Sequence, residues 1–198
     1  MTKKFLTLTA TGIAAAIALA GCASGTGTGS SASAPATSAT AAAADHNTAD
    51  ITFAQTMIPH HTQAVKMSDT MLTKKDIPAS VTALATKIKA AQGPEIETMT
   101  GWLASWNQPT AMATDMPTGH SMTGMMGDAD MKKLEAAQGT EAAKLFLNQM
   151  IAHHKGAIMM AKTENTAGQN PDAVQLSKDI VTAQEAEIQE MQKLLASL

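Results

Sequence analysis

From Asp50 onward the apolar positions fall at helical spacing. Phe53, Met57, His60, Ala64, Met67 and Met71 follow one another at steps of 4, 3, 4, 3 and 4, the seam of a helix that packs lengthwise in a bundle. Phe146, Met150, His153, Ala157 and Met160 draw that seam again. The two stretches align at an offset of 93, so that Phe53, Met57, Ile58, His60 and His61 return as Phe146, Met150, Ile151, His153 and His154. Further on, at an offset of 92, Leu84, Ile88, Gln92, Glu95, Ile96, Met99 and Leu103 return as Leu176, Ile180, Gln184, Glu187, Ile188, Met191 and Leu195. One gap reconciles the offsets, and matches this many in order mean an internal duplication.

Each repeat reads as two helices. The second helix of each begins near Ile77-Pro78 and Asn170-Pro171, because proline suits the first helical position and Asn170 can cap. Asp128 stands where it would cap the third helix. Two helical hairpins with complementary faces predict an all-α four-helix bundle. Its domain spans 45–198, as repeat one over 50–106, a connecting loop over 107–127 and repeat two over 128–198. Two positions break the local rules. Pro59 removes a hydrogen bond to the Gln55 carbonyl and predicts a kink before the first His pair, while Gly93-Pro94 kinks or splits the second helix.

The residues before Asp45 follow another pattern and stand outside the fold. Lys3 and Lys4 precede an apolar stretch, Phe5 to Ala20, too short and Ala-rich for a convincing membrane span. It ends in Leu19-Ala20-Gly21-Cys22, which resembles a bacterial lipobox, so residues 1–21 read as a lipoprotein signal peptide with Cys22 as the lipidated residue. Residues 22–44 are then a flexible Ala/Ser/Thr/Gly tether, unable to bury enough apolar surface to order itself. The expected location is the bacterial cell envelope, anchored on the outer side of the cytoplasmic membrane, or in a periplasmic or outer-membrane setting.

Composition narrows the chemistry. Loss of Lys3 and Lys4 takes the formal charge from −3 to −5, and all 14 basic residues are Lys. A chain without Arg is poorly suited to nucleic acid, which is held by bidentate guanidinium contacts. Cys22 is the sole cysteine, so a chain lipidated there has no disulfide, thiolate ligand or Cys nucleophile. Methionine is abundant, with 15 residues, and histidine has six.

Four of those six histidines form two Met-x-x-His-His motifs. Residues three and four apart share a helix face, so Met57 reaches towards His60 and His61. Adjacent histidines diverge by about 100°, which points one of each pair into the bundle and the other to its flank or a partner helix. Thioether and imidazole are the donor set of Cu(I) and, by extension, Ag(I). No carboxylate lies in either motif, and the Glu-x-x-His of helical di-iron proteins is absent. Candidate ligands are Met57, His60, His61, Met67, Met150, His153, His154 and Met160, although seam methionines taken singly also fit plain core packing. The loop adds Met116, His120, Met122, Met125 and Met126 as a metal-collecting arm, since methionine exposed in an oxidising compartment is prone to sulfoxide formation.

The stretches Asp50 to Ser68, around Met57-Ile-Pro-His-His61, and Phe146 to Ala161, around Met150-Ile-Ala-His-His154, resemble the signature helices of the bacterial domain-of-unknown-function 305 family. The likeness runs from about Asp50 to Leu198. It implies a ferritin-like four-helix bundle, an exported or anchored protein, and copper binding by both motifs as in the CopM-like copper-binding members. The chain departs from the family pattern at Thr62 and Lys155, where many members carry an acidic residue after each His pair, and at Ala143, the counterpart of Asp50.

The expectation is a lipid-anchored, non-enzymatic envelope protein with copper ions as cargo, serving copper buffering, tolerance or delivery to an envelope partner. An interaction module without metal is the alternative. A cuprous oxidase is a weaker one, because no general acid or base stands beside the ligands and the nearest candidates, Asp50 and Asp69, lie one or two turns away.

Overall fold

The computed structural model describes residues 45–111 and 123–198, and these are helical throughout apart from short connections. The signal peptide, the tether with Cys22, and Met116, His120 and Met122 of the loop lie outside the described residues. Five helices follow in order: α1 Thr48–Leu72, α2 Ala79–Ser105, α3 Asp128–Ala136, α4 Gly139–Ala167 and α5 Pro171–Ser197. Helix α1 packs along α2 and α4 along α5, giving the two expected hairpins, which meet mainly through α1 and α4. Among the described residues no helix is long and apolar enough to cross a membrane.

The seam positions are the buried ones. Phe53, Met57, Ala64, Met67 and Met71 of α1 and Phe146, Met150 and Ala157 of α4 line the interior. They fall into two apolar clusters. One gathers Ala64, Met67 and Met71 with Phe146, Leu147 and Met150; the other gathers Phe53, Ala54 and Met57 with Ala157 and Ala161. The start of α1 thus meets the end of α4, so the two helices run antiparallel, and both His pairs lie between the clusters.

Three local expectations are corrected. The third long helix does not start at Asp128: a nine-residue α3 ends at Ala136, and α4 begins afresh at Gly139 after extended Ala137 and Gln138. Gly127 holds the cap position of α3, while Asp128 and Asp130 lie in its first turn, where carboxylates favour the helix dipole. Lys74 closes the other end, donating from Nζ to the carbonyls of Glu135 and Ala137 at 2.8 Å each. Pro78 stands at the N-cap rather than the first helical position of α2. Of the two outcomes expected at Gly93-Pro94 the split is excluded, since α2 runs unbroken through Pro94, as α1 does through Pro59. Each proline forfeits one backbone hydrogen bond, and buried residues on both sides hold the helix together.

The end of the bundle is fastened by polar groups. Asn47 caps α1 in a reciprocal capping box with Asp50. Asp50, fully buried, also accepts from the backbone N–H of Gln169 at 3.0 Å and Asn170 at 2.9 Å, so one carboxylate joins the start of α1 to the α4–α5 turn. Asn170 caps α5 by accepting from Asp172 and Ala173, with Pro171 next to it at the helix start. Glu164 is buried against this group with neither carboxyl oxygen hydrogen-bonded, and burial, together with the neighbouring Asp50 carboxylate, pushes the Glu164 carboxyl up to about 8 from 4.5.

A pH dependence follows. Between about 4.5 and about 8 the folded chain keeps a proton on Glu164 that the unfolded chain has released. Stability therefore falls as pH rises through that window and levels off above it. Glu164→Gln nearly conserves the side chain's volume and removes the titration. The gap in urea-unfolding stability between variant and wild type should widen in the variant's favour from pH 5 to pH 8 and stay constant beyond. Parallel curves would show that Glu164 does not titrate in this way.

Candidate metal centre

The seam that makes α1 and α4 helices also carries the histidines inward. All four of His60, His61, His153 and His154 are buried. The first histidines of the two pairs meet across the α1–α4 interface, with ring centroids 3.7 Å apart and planes inclined at 40°. The second histidines turn away, each to the partner helix of its own hairpin. His61 donates from Nε2 to Glu95 of α2 at 2.7 Å, and His154 does the same to Glu187 of α5 at 2.9 Å. One repeat is laid on the other by this arrangement, and the duplication brings four imidazoles into a single layer.

These rings are short of partners. Nδ1 of all four histidines is buried without a hydrogen bond, and so is Nε2 of His153. Burial, then the nearby His61, pushes His60 down to about 3; burial, then His60, pushes His153 to about 2. Burial also lowers His154, although Glu187 opposes it. The first histidines are therefore neutral at physiological pH, with lone pairs free of proton competition.

Sulfur flanks this layer on both sides. Met57 and Met160 belong to the apolar cluster at one side, Met67 and Met150 to that at the other. Met57, Met67 and Met150 are fully buried. Each methionine is thus grouped with one from the opposite repeat rather than only with its own motif's histidines. Among the described residues no three His, Cys, Asp or Glu side chains form a ready metal cluster. Neutral imidazoles flanked by thioethers make a soft, uncharged donor set, which favours a soft cation.

The returning end of the loop closes over the layer. His60 donates from Nε2 to the Thr123 carbonyl at 3.3 Å. Gln63 clasps Met126 through two hydrogen bonds, Nε2 to the Met126 carbonyl at 2.9 Å and Met126 N–H to Oε1 at 2.7 Å. This close approach depends on two glycines. Gly124 has φ +87° and presses on the α4 backbone at Ala152 and His153, and a Cβ on Gly156 would lie 1.9 Å from the Thr123 carbonyl oxygen. Met125 and Met126 are half-buried there. His46 instead stacks on Trp106, with ring centroids at 4.5 Å.

The sequence reading missed Glu95 and Glu187, and the expectation that no carboxylate stands beside the ligands is corrected. A signal for them was present: they are the only acidic residues that match across the aligned repeats. Asp50 and Asp69, the nearer candidates in sequence, serve elsewhere, Asp50 in the capping group and Asp69 in an exposed pair with Lys89 at 2.6 Å. Lys155, beside the second pair, is exposed.

The family model described as a domain of unknown function, DUF305, matches residues 50–195. Among solved structures, a DUF305 protein from Streptomyces coelicolor is 37% identical with a TM-score of 0.70, covering 75% of this chain and 93% of its own. A DUF305 fragment from Deinococcus radiodurans is 30% identical with a TM-score of 0.69, over 77% of this chain and 98% of its own. CopM in its Cu(I)-bound form is 31% identical with a TM-score of 0.62, over 75% of this chain and 96% of its own; Cu(II)- and Ag-bound forms of CopM are similar too. No curated protein matches the chain.

Gly156→Ala tests the loop contact. Alanine suits a helix interior better than glycine by about 1 kcal/mol, yet its Cβ would strike the Thr123 carbonyl. We expect retained helicity by circular dichroism and faster hydrogen exchange at the Met126 amide, as the segment lifts from α4. Unchanged exchange there would mean that Gly156 does not seat the loop.

Proposed function

The chain belongs to the DUF305 family, and from that premise we propose that it binds Cu(I), and by extension Ag(I), to buffer the metal or pass it to an envelope partner. The observation that carries this reading is the layer of four buried histidines whose Nδ1 atoms have no partner, set between two methionine-bearing clusters. Buried polar atoms left without a partner cost about 1–3 kcal/mol each, and a bound cation would relieve that cost. Copper and silver forms of CopM support the choice of metal.

In this reading His60, His61, His153 and His154, with sulfur from Met57, Met67, Met150 and Met160, hold the metal inside the bundle. Soft, uncharged donors tolerate the low coordination numbers of Cu(I) and match poorly to oxygen-seeking ions. Met116, His120, Met122, Met125 and Met126 form the capture arm. Met126, clasped by Gln63, would bring the arm's end to the inner layer. Cys22 would carry the lipid that keeps the protein at the envelope membrane. The function is carriage rather than catalysis: the nearby carboxylates Glu95 and Glu187 already accept from the imidazoles, and no acid or base is assigned to a reaction.

Anaerobic titration of the full chain with Cu(I) against a chromophoric chelator, with Zn(II) and Fe(II) alongside, tests the proposal. Tight Cu(I) binding without competition from the other two is expected. Cu(I) at about a hundredfold excess over Kd should stabilise the fold by about 2.7 kcal/mol. Replacing all four histidines by Ala should abolish tight binding. Met57→Leu with Met150→Leu, which nearly conserves volume, should weaken it while the bundle stays folded. Wild-type copper retention by the variant without the four histidines would sink the assignment.

A further inference from the structure

The hydrogen-bond pattern around the histidines is one-sided. His61 and His154 each direct Nε2 to a carboxylate oxygen, and His60 directs Nε2 to the Thr123 carbonyl. Carbonyl and carboxylate oxygens only accept, so each of these nitrogens carries the hydrogen. A neutral imidazole has one N–H and one lone pair; with the hydrogen on Nε2, the lone pair falls on Nδ1. Nδ1 is the atom that is buried and unpartnered in all three rings.

We propose that Glu95 and Glu187 are positioning residues: they fix His61 and His154 in the Nε2–H tautomer, so that Nδ1 is the nitrogen each offers to a soft monovalent cation. This rests on the copper reading above and adds to it the donor atom and the residues that select it. A carboxylate behind a ligating histidine holds its tautomer and ring orientation and raises its basicity. The arrangement is also duplicated. Each carboxylate stands at the matching place on the second helix of its hairpin, three residues after the matching buried Gln92 or Gln184. Glu187 is itself steadied by Lys87 of α2, whose Nζ lies 3.7 Å from Oε1. An incidental contact would not be expected to recur in both halves with the same ring nitrogen facing the same residue type.

The test is side-chain nitrogen NMR on the full chain labelled with 15N-histidine, with Ag(I) as a diamagnetic probe. Before metal, His61 and His154 should show a protonated Nε2 and an unprotonated Nδ1. Ag(I) should shift Nδ1 and leave Nε2–H in place. Glu95→Leu with Glu187→Leu should mix the tautomers and lower Ag(I) affinity about 10- to 100-fold. Glu95→Gln with Glu187→Gln keeps an acceptor oxygen and should restore the tautomer and most of the affinity.

A proton on Nδ1 before metal, an unmoved tautomer in the folded Leu variant, or an Ag(I) shift at Nε2 would each overturn the proposal. A fixed Nε2–H tautomer with no ring nitrogen responding to Ag(I) would overturn the donor assignment through failure of the copper reading, leaving the tautomer itself established. Should the Leu variant unfold, the wild-type and Gln spectra still decide.

Discussion

The structure turns on burying four imidazoles in the seam between α1 and α4. A buried polar atom without a partner is costly, and here Nδ1 of every histidine in the layer, with one Nε2, is in that position. Apolar side chains at those places would have made a more stable bundle. The rest of the arrangement is organised around tolerating the layer. Apolar clusters on either side hold the helices together, and the second helix of each hairpin supplies one carboxylate to the ring that reaches it. In the proposed role, accepting and releasing a soft cation calls for donors that are dry, neutral and uncommitted, and such donors are unfavourable to leave empty.

The two halves share this design but not its surroundings. Asp50 in the first repeat corresponds to Ala143 in the second, and the Asp50 carboxylate is used to fasten the α4–α5 turn to the start of α1. That clasp, together with the buried Glu164, closes one end of the bundle. At the layer itself the chain between the repeats comes back over the first histidines, where Thr123 meets His60 and Gly124 lies against α4. The link between repeats is therefore also a wall of the site. A duplication supplies two equivalent halves, whereas a single connecting segment can cover only one face of the pair, and this makes the layer unequal on its two sides.

Much of the molecule was legible from its sequence. Steps of three and four between apolar residues report a helix face directly, so the long helices, the duplication and the inward course of the histidines follow from Phe53, Met57, His60 and their copies at Phe146, Met150 and His153. The divergence of adjacent residues by about 100° likewise separates His60 from His61. The break at Ala137 and Gln138 that sets α3 apart was harder to read, because neither residue is a strong breaker and the turn is stabilised by contacts made elsewhere, such as Lys74 on the α3 carbonyls.

What sequence determined, then, is the periodic part: which residues share a face, that the chain repeats itself, and that imidazole and thioether are the chemistry set along that face. Only the tertiary structure decided how the faces meet. It opposed His60 to His153, grouped Met57 with Met160 and Met67 with Met150, and placed Glu95 and Glu187 behind the second histidines. The physical reason is that helical period is local, carried by neighbouring residues, while the register between two hairpins is fixed by packing among residues some 90 positions apart. No pattern within a single helix reports that register.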